Sequence, residues 1–336
     1  MTTPTSPTAP PTPPTTLTAR SPEDLLAVAP VVLGFWPSNS VVMLTFGARH
    51  PFHARVDLPP TAADTVSLDD ITETLIAPAA LHGVTRVVLL VYSGDEALAD
   101  ACWEALAAGF DGVGIDVVEA VRVDIARWYP LRGHARLRGR GVPYDVSSHP
   151  FVVQAILDGR VTHESRTDLA ATLQPDPPAV ARVADLVTSQ QLDHDPLVVG
   201  AWVESLVFDH LDAEGATPSD LEVARLVTGM QSLCLRDAAW STITRESSRA
   251  SVDFWTDVVR RTPDFLVAAP AALLAWSAWQ HGNGALAWCA IDRCREIDPD
   301  YSLATLLAQF LERAVPPSVW SGPLDCKEGL EGRRSG

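Results

Sequence analysis

Hydrophobic and polar positions along the chain follow two regimes that meet near residue 149. In the first, apolar runs alternate between strand and helix character. Ser21, Pro22, Glu23 and Asp24 set out a helix start, with serine as cap, proline at the first helical position and two carboxylates where the helix dipole favours anions. The helix runs through Leu25, Leu26 and Val28 towards Leu33, with Pro30 as an early stop signal and Gly34 and Pro37 closing the segment. Residues 41–46 and 52–58 read as two strands whose short link makes a hairpin. Ser67 is the expected cap of a helix over 68–81, the unbroken apolar run 86–92 suits a buried central strand, 95–108 is helical, and 115–123 is a further strand. This order predicts an α/β unit: a mixed sheet with parallel crossovers and flanking helices.

From Pro150 onward the strand signal stops. Helical periodicity recurs over 151–157, 166–173, 179–190, 197–211 and 219–230, and three further helices between 271 and 311 are separated by His281-Gly282-Asn283-Gly284 and Asp298-Pro299-Asp300. The last pair is similar to a tetratricopeptide-like helix hairpin, but one copy is no array, and a hairpin packed on its own domain is the simpler reading. The predicted organisation is a Pro/Thr-rich disordered tail over 1–19, an α/β domain over 20–148, an all-helical domain over 149–320 and a disordered tail over 321–336.

Composition narrows the function classes. No uncharged apolar run reaches the ~18 residues of a membrane span, and the first residues lack the basic and apolar regions of a secretory signal. Five scattered cysteines do not make a disulfide framework, so a cytoplasmic location is expected. A net charge of −17 disfavours nucleic acid and anionic membranes as partners. The sole lysine, Lys327, lies in the Gly-rich tail, which removes Walker-type phosphate loops and Schiff-base chemistry.

Other signatures fail on geometry. Gly282-Asn283-Gly284-Ala285-Leu286-Ala287 follows a helix where a dinucleotide fingerprint needs a strand. His194 and His210 stand sixteen residues apart on one helix, ~24 Å at 1.5 Å per residue, too far to share an ion. Cys289 and Cys294 lie roughly 140° apart around a helix, and no Cys-x-x-Cys pair completes a zinc site. No hydrolase elbow or metalloprotease helix is present, so no catalytic residue, metal or cofactor is expected.

Three blocks carry a family resemblance. Ser21-Pro22-Glu23-Asp24-Leu25-Leu26 followed by Leu33-Gly34-Phe35-Trp36-Pro37-Ser38-Asn39-Ser40-Val41-Val42 is the first. Residues 155–173, with Gly159, Ser165-Arg166 and Asp168-Leu169-Ala170-Ala171, are the second; residues 276–317, with Gly282, Gly284-Ala285-Leu286-Ala287 and Tyr301-Ser302-Leu303-Ala304, are the third. Together they resemble, over about residues 21–320, the actinobacterial family known as domain of unknown function 4192 (DUF4192). The resemblance implies a family and no activity, so it transfers no site residues. The family pattern also holds cysteines after the Arg-Trp matched by Arg127-Trp128, and this chain has none there.

Two segments stand out as candidate sites. Residues 127–144 contain Arg127, Arg132, Arg136, Arg138 and Arg140, with three glycines and no carboxylate. Guanidinium groups on such a loop suit bidentate binding of a small phosphate or carboxylate, or else pairing with the acidic helical half, where residues 161–320 hold 22 Asp and Glu against 11 Arg. The turn Gly34, Phe35, Pro37, Ser38 and Ser40, just before a strand, is a candidate pocket wall, or else a helix stop with Phe35 and Trp36 packed on the core. Six tryptophans of the helical half, Trp202, Trp240, Trp255, Trp276, Trp279 and Trp288, read as core packing. The function expected from all this is a non-catalytic regulatory or protein-interaction module whose partner is another protein. The alternative is a small-anion-binding protein or unrecognised enzyme using the arginine loop.

Overall fold

A computed structural model describes residues 19–133, 135–189, 195–212 and 217–320, the side chains of Ala135, Arg136 and Asp212 excepted. All of 1–18, 321–336 and His194 lie outside the described residues. The first half is built from α1 (Pro22–Leu33), β1 (Ser40–Phe46), β2 (His53–Asp57), α2 (Thr65–Leu81), β3 (Arg86–Tyr92), α3 (Glu96–Gly112), β4 (Asp116–Asp124), β5 (Arg127–Pro130), α4 (Ala135–Arg138) and β6 (Val142–Pro143). These strands form one mixed sheet in the order β2-β1-β3-β4-β5-β6. The β1–β2 hairpin is antiparallel, and β3, also antiparallel to β1, runs parallel to β4.

Strand side chains alternate between two apolar faces. Val41, Met43, Val87, Leu89 and Val91 pack beneath α2 and α3 against Leu68, Leu75, Leu106 and Phe110. Val42, Leu44, Val88, Leu90, Val121 and Val123 face α1 and share one continuous core with the helical half. Coverage on both faces explains why β3 is an unbroken apolar run with no polar alternation.

The second half comprises α5 (Pro150–Leu157), α6 (Arg166–Ala171), α7 (Pro177–Val187), α8 (Pro196–Asp212), α9 (Asp220–Gly229), α10 (Leu233–Ser241), α11 (Ser248–Arg261), α12 (Ala268–Gln280), α13 (Gly284–Arg295) and α14 (Ser302–Glu312). Helix α12 is apolar on all sides and is its central element, with every residue from Ala269 to Gln280 buried. Gly282, at φ +82°, turns the chain into α13, which Asn283 caps through the Leu286 N–H at 3.0 Å. Trp240, Trp255, Trp276 and Trp279 are buried as expected, whereas Trp202 and Trp288 are half-buried.

Three local expectations are corrected. Pro30 does not end α1: one proline near the end forfeits one backbone donor, while the helix continues to Gly34, whose N–H reaches the Pro30 carbonyl at 2.9 Å. Asp64, not Ser67, caps α2, accepting the Ser67 N–H at 3.1 Å. The arginine stretch is no plain loop, since β5 and β6 extend the sheet through it.

Helices α7, α9 and α11 are clamped at Asp220, which meets the Arg182 Nε at 2.7 Å and an Arg261 Nη at 2.5 Å. The Arg182 hydrogen bond, opposed by partial burial and helped by Arg261, holds the Asp220 carboxyl below its ordinary 3.8. A carboxylate depressed on folding stabilises above its unfolded pKa and loses that contribution as pH falls through the folded one. Denaturant unfolding followed below about pH 4 should therefore show a shallower acid loss in Asp220→Asn than in the parent. Equal acid slopes would remove this clamp from the account.

Candidate functional site

The arginine stretch folds onto its own backbone. Strand β5 pairs with β4 and places Trp128 in the core, where its indole N–H donates to Glu23 of α1 at 3.0 Å. Arg127 then donates to the carbonyls of Arg140 and Gly141 at 2.9 and 3.2 Å, and Arg138 donates to the Leu131 carbonyl. Arg132 donates to the Val117 carbonyl and stands 3.5 Å from Asp116. Gly141, at φ +63°, is required because a Cβ there would come within 2.6 Å of the Tyr129 ring.

These guanidinium groups thus donate to main-chain carbonyls of β4 and of the segment joining β5 to β6. Pairing with the acidic half is not what they do: among the described residues, none of Arg127, Arg132, Arg138 and Arg140 forms an ion pair with residues 149–320. The acidic half instead engages its own arginines, as in Arg166–Asp292, Arg261–Asp257 and Arg293–Asp264. Arg140 is exposed, without a side-chain partner among the described residues; the Arg136 side chain and His134 fall outside them. The reading of the sequence missed Arg122, buried on β4, 3.9 Å above the Tyr129 ring and 3.7 Å from Glu96. A charge inside an apolar strand run was its one signal.

The turn 34–40 is partly packed, with Phe35, Pro37 and Ser40 buried and Trp36, Ser38 and Asn39 exposed. Gly34 adopts φ +77°, Phe35 and Pro37 are buried, and Phe35 bridges His163. The Trp36 N–H donates to the His163 carbonyl at 3.0 Å, and the His163 N–H to the Gly34 carbonyl at 2.8 Å. Arg55, half-way along β2, lies 5.6 Å over the Phe35 ring and donates to the Ser38 carbonyl at 3.3 Å. The two serines do not share a wall: Ser38 is exposed, while Ser40 is fully buried in β1 and its hydroxyl has no partner among the described residues. The three sequence blocks that carry the family resemblance meet around this turn, through Phe35 and His163 and through the 2.8 Å Arg166–Asp292 ion pair between α6 and α13.

The same junction fixes helix α5. His149 caps it by accepting the Phe151 N–H at 3.2 Å and holds Asp24 of α1 at 3.0 Å. Phe151 and Val152 pack inward on the shared core, and Ala155 is buried. The outward positions are also apolar: Val153 is 42% exposed, Ile156 65% and Leu157 75%. Spaced i, i+3 and i+4, they form one stripe. Val161, 71% exposed, follows in the segment after α5, and the part-exposed Trp36 joins the His163 strap two residues further on. Asp158 and Glu164 are exposed on the same segment, with Arg160 between them.

Among the described residues, no group of three or more His, Cys, Asp or Glu is placed to hold a metal ion. Burial pushes the thiols of Cys102 and Cys294 up to about 12, so neither is a ready nucleophile. Among the described residues, no helix is long and apolar enough to cross a membrane.

A family model described as "Domain of unknown function (DUF4192)" matches residues 22–318. No curated protein and no solved structure matches the chain.

Proposed function

The chain belongs to the DUF4192 family, and from that membership, which carries no activity, we propose that it is a non-catalytic protein-interaction module that docks a cationic amphipathic helix on the outer face of α5. The observation that carries this reading is the stripe Val153, Ile156 and Leu157, apolar and open on a helix whose opposite side is already packed. Isolated apolar residues at a surface need no explanation, whereas a contiguous stripe beside a rigid junction marks a contact surface. The partner's charge follows from the setting: Asp158 and Glu164 outnumber Arg160 on the segment, and the chain carries −17 overall, which attracts a basic segment. Cytoplasmic residence is part of this reading, supported by the unpaired Cys102, Cys234, Cys289 and Cys294.

Anion binding by residues 127–140 takes second place, because Arg127, Arg132 and Arg138 already donate to carbonyls; Arg140 is the exposed guanidinium that favours it. The test is a fluorescence-anisotropy titration of the full chain with a labelled Leu/Lys amphipathic helical peptide and its Leu/Glu counterpart. Binding of the first and not the second is expected, lost in Ile156→Gln/Leu157→Gln. Equal binding of both peptides, no binding of either, or self-association through α5 seen by sedimentation would overturn the proposal.

A further inference from the structure

A cleft of about 480 Å³ opens between the start of α1 and the sheet, lined by Arg20, Leu25, Phe46, Arg86, Val88 and Glu119, among others. This volume lies within the range of small-ligand sites. Leu25, Phe46 and Val88 give it an apolar wall, and Arg20 and Arg86 bring two guanidinium groups to it.

Neither guanidinium has a hydrogen bond or ion pair among the described residues, and the nearby carboxylates are committed elsewhere. Asp24 accepts the backbone N–H groups of Arg20 and Ser21 at 2.6 and 3.0 Å through one oxygen and holds His149 at 3.0 Å through the other. Glu23 accepts from Trp128 at 3.0 Å. Asp116, in register with Arg86 across β3 and β4, stands 3.5 Å from Arg132. Glu119 turns one oxygen back onto the Ala120 N–H at 3.0 Å. The preceding residues 1–18 contain no Asp or Glu and cannot supply a counter-charge of their own.

We infer that this cleft binds a small organic monoanion, a carboxylate joined to an apolar or aromatic body, with Arg20 and Arg86 on the carboxylate and Leu25, Phe46 and Val88 on the body. The charge of the head follows from the lining: two arginines against Glu119 leave one net positive charge, which suits a carboxylate better than a doubly charged phosphate. The apolar wall requires the rest of the ligand to be desolvated, so a bare inorganic anion would leave most of the cleft unfilled. This site is separate from the arginine stretch 127–140 and does not depend on the docking role of α5.

The probe is 4-phenylbutyrate, titrated calorimetrically into the full chain, with 4-phenylbutanol as the uncharged analogue and inorganic phosphate as the bare anion. Saturable one-site binding of the carboxylate is expected, with the alcohol and phosphate each at least tenfold weaker. Arg20→Gln/Arg86→Gln should weaken 4-phenylbutyrate at least tenfold, while Arg140→Gln leaves it unchanged. Both substituted side chains are at the surface, and a melting curve that matches the parent's verifies that the double variant is folded. Absence of binding to the parent, equal affinity for the alcohol, or undiminished affinity in the folded arginine double variant would overturn the assignment.

Discussion

Trp276→Ala is expected to cost about 4 kcal/mol of unfolding free energy, the largest loss of any single substitution considered. Trp276 is fully buried at the middle of α12, with the rings of Trp240, Trp279 and Trp320 each 4.9 Å away. Truncating a buried tryptophan costs roughly 3–5 kcal/mol through lost transfer energy and the cavity left behind, and edge-on aromatic pairs add about 0.5–1.5 kcal/mol each. The same pocket makes a finer prediction. The Trp276 indole N–H is buried without a partner among the described residues, so Trp276→Phe removes an unsatisfied donor as well as volume and should cost no more than about 2 kcal/mol. Urea unfolding of the two variants checks both figures. A phenylalanine variant as unstable as the alanine one would mean that the nitrogen is engaged after all.

Ile156→Gln/Leu157→Gln is expected to do the opposite, leaving stability nearly intact while abolishing attachment of a basic amphipathic helix. Both side chains are mostly exposed, and glutamine is a good helix former, so unfolding should move by no more than about 0.5 kcal/mol. Burying an isoleucine or leucine side chain against a partner is worth about 1.5–3 kcal/mol, and every 1.4 kcal/mol is a factor of ten in affinity. Two such losses predict at least a hundredfold drop. Ile156→Leu/Leu157→Ile keeps the apolar area and should bind close to the parent level. If that conservative pair fails as badly as the glutamine pair, burial of the stripe is not what holds the partner.

Much of the architecture was legible because its signals are local. Residues 86–92 are β3 to the residue, the hairpin of β1 and β2 pairs as read, and Ser21 caps α1 through the Asp24 N–H with the capping box complete. The breaks at 281–284 and 298–300 fall between α12, α13 and α14. Legibility ended where an interaction partner is distant in sequence. Arginines at 127, 132 and 138 advertise charge, and charge pointed to the acidic helices; the carbonyls they meet become available only once β5 has joined the sheet. Ser38 and Ser40 are two residues apart, yet Ser38 lies in the turn and Ser40 opens β1, with Asn39 at φ +42° between them, so that one residue is exposed and the other enclosed. The open side of α5 was illegible for the complementary reason. Its sequence, PFVVQAIL, is apolar on both sides, and only the position of α1 decides which side stays uncovered.

The cleft beside Arg20 and Arg86 belongs to the same class, since its walls come from α1, β1, β3 and β4 and no two of its charged residues are neighbours in the chain. Arginine content alone ranked the 127–140 stretch above it. Unspent guanidinium donors, not their density, separate the two places.

Deuterium exchange of the full chain, with and without a saturating Leu/Lys amphipathic peptide, addresses the docking face of α5 most directly. Slowed exchange concentrated in residues 150–163 is the predicted result. Protection confined to other segments, with residues 150–163 exchanging at the rate of the free chain, would contradict it.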